Sequence, residues 1–220
     1  MTTRQKRVGE ASRAATRRRL VDAAAEQFLE TGYTATTITA LARRGGVSVQ
    51  TLYLAVGGKP ALLRAVLEHA LTPSSAPVED ASTNSMGEDY RHDLRAQATQ
   101  VHHGSNEPHI RVAAIVRVYR RLAERAAPWW RLYRDAAATE PEIAADWAEL
   151  HRLRRGTLAV LLEDIHDDSL RSGLSREAAV DTLWAIASPE TYSLLVDRLG
   201  YTIDQYENWL TTTLTAALLP

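Results

Sequence analysis

At 220 residues the chain is long enough for one large or two small domains, and 45% hydrophobic with 24% charged residues is an ordinary globular balance. The absence of cysteine excludes disulfides, thiolate zinc sites and thiol nucleophiles. A formal net charge of −1 conceals an asymmetry: residues 1–64 hold eleven Lys/Arg against four Asp/Glu, or +7, and residues 65–220 carry −8. A basic head on an acidic body points to an anionic partner for the head, a solvated basic arm being the alternative. "MTTRQKRVGEASRAATRRRL" lacks the apolar core of a secretory signal, and no apolar run is long enough to span a bilayer. The expectation is a cytoplasmic location and no membrane partner.

Apolar residues recur at helical spacing along most of the chain, and strand signals are few, so the predicted class is all-α. A first helix is predicted from about Ser12 to Thr31, with Leu20, Ala24 and Phe28 inward and Gly32 as its stop. A short second helix follows Thr36 or Thr37, either of which can cap it, and ends at Arg44. The third lies within "GGVSVQTLYLAVGGKPALL", residues 45–63, and a fourth starts near Lys59-Pro60 and runs to about Leu71. "TPSSAPVEDASTNSMGED" reads as a linker.

Helical spacing resumes near Tyr90, breaks at "HHGSNEP", returns from Ile110 to Arg125, and again briefly after Pro128. A long helix follows Pro141, with Ile143, Trp147, Leu150, Leu158, Leu161 and Ile165 as its stripe. Ser175 caps the next, in which Pro189 predicts a kink or a restart. The last carries a stripe at Ile203, Tyr206, Leu210, Leu214 and Ala217.

A helix as short as the third is not stable alone, so its neighbours must hold it. Two short helices joined by a glycine turn form a helix-turn-helix. Gly46 can supply a positive φ in the turn, and Leu41, Val47 and Leu52 can pack beneath it. Ser48, Val49, Gln50, Thr51 and Tyr53 then face outward, on the face that in this motif enters the major groove. Hydroxyls bond phosphates, Gln50 can pair with an adenine edge, and Val49 can touch a thymine methyl. Lys59, at the start of the fourth helix, would attract a phosphate. An ordinary helical hairpin inside a bundle is the competing reading.

The segment "TRRRLVDAAAEQFLETGYTATTITALARRGGVSVQTLYLAVGGKPALLRAVL" resembles the DNA-binding domain of the TetR family of transcriptional regulators. The resemblance runs over about residues 16–67. It is carried by Phe28…Gly32-Tyr33, Thr36-Thr37-Ile38, Leu41-Ala42, Gly46-Val47-Ser48, Thr51-Leu52-Tyr53 and Lys59…Leu62-Leu63. It implies that Thr37, Ser48, Thr51, Tyr53 and Lys59 hold phosphates while Val49 and Gln50 read bases. The family often has alanine at position 45, an aromatic at 56 and a polar residue near 57–58. Gly45 is therefore expected to loosen the end of the second helix, and Ala55 to give up a possible contact.

The resemblance further implies residues 1–58 as the helix-turn-helix domain and 59–220 as a helical effector-binding and dimerisation domain. It implies a homodimer paired through the last two long helices, with Leu183, Ala187, Tyr192, Leu195, Leu199, Leu210 and Leu214 as candidate interface residues. Trp129, Trp130, Tyr133, Trp147 and Trp184 are candidates for an effector pocket, plain core packing being the alternative. His102, His103 and His109 lack the spacing of a metal site, and "EDIHDD", residues 163–168, reads as an exposed helix end. No catalytic motif, cofactor motif or metal site is recognised. The expected function is a ligand-responsive regulator, a repressor, that binds a palindromic double-stranded operator and is released by a small molecule. A helical small-molecule-binding protein or enzyme without DNA binding is the alternative.

Overall fold

The computed structural model describes residues 3–71 and 107–220, with side chains from residue 11 onward in the first stretch. The described residues contain helices and turns and no strand. Nine α-helices are described in order: α1 Thr3–Ala35, α2 Ile38–Arg44, α3 Val49–Val56, α4 Lys59–Leu71, α5 Pro108–Ala137, α6 Pro141–Leu162, α7 Arg176–Ile186, α8 Pro189–Tyr192 and α9 Ile203–Leu218. The expected linker at 72–89, the helix near Tyr90, His102 and His103 lie outside the described residues. The described residues divide into two compact units. One comprises the chain through 71 with Pro128–Trp147; the other comprises 107–127 with Ala148–Pro220.

In the first unit, α1 begins earlier than its apolar pattern, at Thr3, and is interrupted at Gly32 with φ 76° and ψ 167°. Leu20, Ala24 and Phe28 are fully buried. Of the two candidate caps, Thr37 serves α2, accepting from the Ala40 N–H at 3.1 Å. Thr36 is buried and its hydroxyl donates to the Gly32 carbonyl at 2.7 Å. Gly45 does not loosen the end of α2. A Cβ there would stand 2.7 Å from Leu20 Cδ2, so the missing side chain is the space that Leu20 fills.

α4 is tied to the later part of the same unit. Arg64 Nε donates to Asp146 Oδ2 at 3.0 Å, with a second bond from its terminal nitrogen, and the Tyr133 hydroxyl donates to the same oxygen at 3.0 Å. Burial and the Asp146 charge together push the Tyr133 hydroxyl above the usual phenol range.

α5 continues through Pro128, where the sequence predicts a break. Proline removes one helical hydrogen bond and crowds the preceding turn. Buried side chains on both sides, Tyr119, Leu122 and Ala123 before it and Trp130, Tyr133 and Ala136 after it, hold the helix together nonetheless. α6 ends at Leu162, so Ile165 packs from the following turn rather than from the helix.

In the second unit Val116, Leu158, Leu161, Leu183, Tyr206, Leu210 and Leu214 form the core. Ser175 caps α7, accepting from the Ala178 N–H at 3.2 Å. At Pro189 the chain restarts rather than kinks: Ser188 caps α8, which passes into a π-helical turn, Ser193–Arg198. Thr202 and Gln205 close a capping box at the start of α9.

Asp146 accepts from both the Arg64 guanidinium and the Tyr133 hydroxyl. Replacing it removes the acceptor that the part-buried cation and the buried hydroxyl share. Asp146→Ala is expected to lower the unfolding free energy by about 2 kcal/mol in urea titration, with Asp146→Asn intermediate. A loss within experimental error of zero removes the tie from the account of the fold.

Candidate nucleic-acid interface

The turn between α2 and α3 is built by backbone chemistry. Gly46 adopts φ 65°, and two bonds close over it: Val47 N–H to Ala42 C=O at 3.0 Å and Gly46 N–H to Arg43 C=O at 3.2 Å. This pattern satisfies the last carbonyls of α2 and needs a left-handed residue at position 46. Arg44 fixes the same end to α1. Its guanidinium holds both oxygens of Glu30 at 2.6 Å and Glu26 at 3.0 Å, which lowers the Glu30 carboxyl below its ordinary range.

α3 is closed at both ends. The Ser48 hydroxyl accepts from the Thr51 N–H at 3.0 Å, and Gly57, at φ 87°, donates its N–H to the Tyr53 carbonyl at 2.9 Å. Leu52 and Val56, four residues apart, form the buried edge. The opposite edges stand in solvent: Val49 with Tyr53, and Gln50 with Leu54.

The predicted residues therefore fall as follows. Val49, Gln50, Thr51 and Tyr53 are exposed on one short helix, and Ser48 is exposed at its front. Ser48 and Thr51 share a hydrogen bond at 2.8 Å, which uses one hydroxyl proton and leaves the other to donate outward. Thr37 is exposed at the start of α2. Lys59, the first residue of α4, is half-buried with its amine 4.0 Å from the centre of the Tyr33 ring. Burial pulls that amine below the usual lysine value, and the Glu140 charge opposes the shift. Gly58 lies against the Tyr53 ring, where a Cβ would stand 3.5 Å from Cε1.

The residue that sequence reasoning passed over is Leu54, 83% exposed beside Gln50. Its signal was present: position 54 is one helical turn beyond Gln50, and the buried line through Leu52 and Val56 leaves it nowhere to go but outward.

The aromatic candidates do not form one group. Trp130, Tyr133 and Trp147 lie together in the first unit, with Trp130 and Trp147 ring centres 4.5 Å apart and Tyr133 and Trp147 6.3 Å apart. Trp129 is half-buried in that unit, and Trp184 belongs to the second. Among the expected pairing residues, Leu183, Ala187, Tyr192, Leu210 and Leu214 sit in the second unit's own core. Leu195 is partly buried, and Leu199 is exposed along with Leu194. His109 is exposed, 4.0 Å from Glu107. Asp167 in the 163–168 segment pairs with Arg176. Among the described residues no group of three His, Asp or Glu is disposed to hold a metal, and no helix is long and apolar enough to cross a membrane.

Residues 20–66 match the model of the tetR family of bacterial regulatory proteins, a span that takes in the later part of α1, all of α2 and α3, and the first part of α4. Curated proteins compared by sequence include no match. Among solved structures the chain is similar to SmeT in complex with triclosan (18% identity, TM-score 0.65, covering 94% of this chain and 92% of that one). It is similar also to NalD of Pseudomonas aeruginosa, the secondary repressor of the MexAB-OprM multidrug efflux pump (16% identity, TM-score 0.64, 94% and 98%). A third is a TetR-like transcriptional regulator from Rhodococcus sp. RHA1 (17% identity, TM-score 0.58, 91% and 94%). At these identities the structures speak for the fold, and that fold spans nearly the whole chain. Residues 20–66 thus match the tetR family of bacterial regulatory proteins in sequence, and nearly the whole chain shares the fold of these solved structures.

Proposed function

We propose that the chain is a ligand-responsive repressor that binds a palindromic operator as a homodimer in the cytoplasm and leaves it when a small molecule binds. Residues 1–58 act as the reader and 59–220 as the effector-binding and pairing part. The observation that carries the reading is the outward face of α3. Val49, Gln50, Thr51, Tyr53 and Leu54 are uncovered on a helix held at both ends, within the first 64 residues, which carry the positive charge. A short helix of this build fits the major groove by its front residues.

Roles follow from chemistry. Gln50 pairs with an adenine edge, and Val49 and Leu54 meet thymine methyls. Thr37, Tyr53 and whichever of Ser48 and Thr51 keeps its proton free donate to phosphates, the other of that pair donating to its neighbour. Lys59 meets a phosphate at the start of α4, where its charge, held back by burial, regains a partner. NalD is a repressor and SmeT was solved with a small molecule bound; both precedents support the repressor and effector parts of the reading. Pairing uses the surface that retains Leu194 and Leu199. Two readers in a symmetric pair engage successive major grooves about 34–36 Å apart, and an effector that favours another arrangement of the body spoils that spacing. A coupling of about 1–3 kcal/mol gives a 5–150-fold loss of operator affinity.

Selection of bound duplexes from a random pool with the purified chain is expected to return a palindrome. Recovery of no preferred sequence, at low salt and without effector, ends the reading. With that operator, Gln50→Ala is expected to erase preference at one base step, worth about 1–3 kcal/mol, in competition binding. Leu54→Ala is expected to leave stability within about 0.5 kcal/mol while lowering operator affinity severalfold and sparing unrelated duplexes. Lys59→Ala should weaken binding to every duplex and reduce the slope of log affinity against log salt by about 1. A sequence-selective loss on that substitution would instead place Lys59 at a base.

A further inference from the structure

The second unit holds a cluster of buried polar atoms that the protein itself does not satisfy. The hydroxyls of Tyr119 on α5 and Tyr206 on α9, the indole N–H of Trp184 on α7 and Nε of Arg154 on α6 are all buried without a hydrogen-bond partner. They belong to one neighbourhood. The Arg154 guanidinium lies 4.6 Å from the Trp184 ring centre, and the His151 ring lies 5.5 Å from it. Tyr119 is close enough to Arg154 and Glu190 for both charges to act on its hydroxyl, and Tyr206 is likewise placed beside Tyr119 and Tyr192. The Tyr192 and Tyr206 rings meet edge to face at 5.0 Å.

Arg154 has a structural duty that does not exhaust it. Its two terminal nitrogens donate to the carbonyls of Trp184 and Ala187 at 2.9 and 2.8 Å, closing the end of α7 before the restart at Pro189. Its Nε–H has no acceptor. Glu190 lies near Tyr119, and Glu124 and Asp197 lie near Tyr192, yet none of the three accepts from the four donors. Buried donors without acceptors are uncommon in folded proteins, and four in one neighbourhood call for an explanation.

Two of the four, the indole and the guanidinium Nε, can only donate. The missing partner must therefore bring acceptors, and a carboxylate offers about four lone-pair sites on two oxygens. The rings of Trp184, His151, Tyr206 and Tyr192 supply flat apolar faces around those donors. We propose that this cluster is the recognition site for a small planar aromatic carboxylate. The ring lies among the aromatic side chains, and the carboxylate accepts from Arg154, Trp184 and the tyrosine hydroxyls. The proposal deepens the effector part of the function proposed above and rests on it for its regulatory meaning, but not for binding itself.

The test is calorimetric titration of the full chain with 2-naphthoate, benzoate and the uncharged 2-naphthamide. At least one acid is expected to saturate one site per chain, with the amide at least tenfold weaker than 2-naphthoate. Tyr119→Phe and Tyr206→Phe remove hydroxyls that hold nothing in the protein. Each should leave the melting temperature unchanged or raise it, while weakening the acid about tenfold or more. Tyr133→Phe, whose hydroxyl is bonded to Asp146, should do the reverse: a lower melting temperature and unchanged acid binding. Failure of both acids to bind at millimolar concentration, or acid binding unchanged in both Tyr119→Phe and Tyr206→Phe, overturns the site. If the chain then still binds its operator, the DNA reading stands without it. Acid binding that leaves operator affinity unchanged supports the site and removes the acid as a releasing ligand.

Discussion

A helix of eight residues does not hold itself in water, because the nucleation cost is spread over too few bonds. Everything that α3 can present to a partner depends on how that deficit is met. Ser48 satisfies one orphan N–H at the front, Gly57 turns left-handed to satisfy a carbonyl at the back, and Leu52 and Val56 supply burial along one edge. Each device acts from the ends or from beneath. None occupies the outer face, and this is why the helix is both rigid and uncovered.

The same economy of faces runs through the supports. Arg44 is a cation in the basic head, yet its guanidinium is spent on Glu26 and Glu30 of α1, so it fixes the end of α2 instead of offering charge outward. Gly45 gives its side-chain space to Leu20, which locks α1 against the turn. Lys59 leans on the Tyr33 ring, which positions its amine at the front of α4 while denying it full hydration. Formal charge counts overstate what is available for an anion, and the structure shows which cations are already engaged.

Much of the first unit was legible in the sequence because its rules are local. Whereas the Ser48 cap of α3 emerges only in the structure, a positive-φ glycine at 46, a threonine cap for α2 and a helix break at Gly32 are each read from a few consecutive residues. The Pro189 restart and the Ser175 cap belong to the same kind. What escaped was non-local. Pro128 carries a breaking signal, but burial on both sides of it outweighs the lost bond. Leu183, Ala187, Tyr192, Leu210 and Leu214 show the periodicity of a packed face, and periodicity reports that a side chain is covered without saying by what. Here the cover is the unit's own core. The aromatic residues read as one group are shared between two units for the same reason. Leu54 was hidden by composition: an apolar residue in an apolar-rich run looks like core until the buried edge is located.

The two units treat their buried polar groups differently. In the first, Tyr133, Asp146 and Arg64 close on one another, and Thr36 finds the Gly32 carbonyl; the Tyr33 hydroxyl is the exception among the described residues. In the second, several tyrosine, tryptophan and arginine donors remain unmet around a set of aromatic faces. A group closed by its own partners gains nothing from a visitor and resists rearrangement. A group left open is less stable than it would be with an acceptor present, and that deficit is available as binding free energy. A regulator needs both: a reader whose geometry does not drift, and a body whose preferred arrangement changes when a missing partner arrives. Under the proposed function, the closed groups of the first unit and the unmet donors of the second serve these two needs with ordinary side chains.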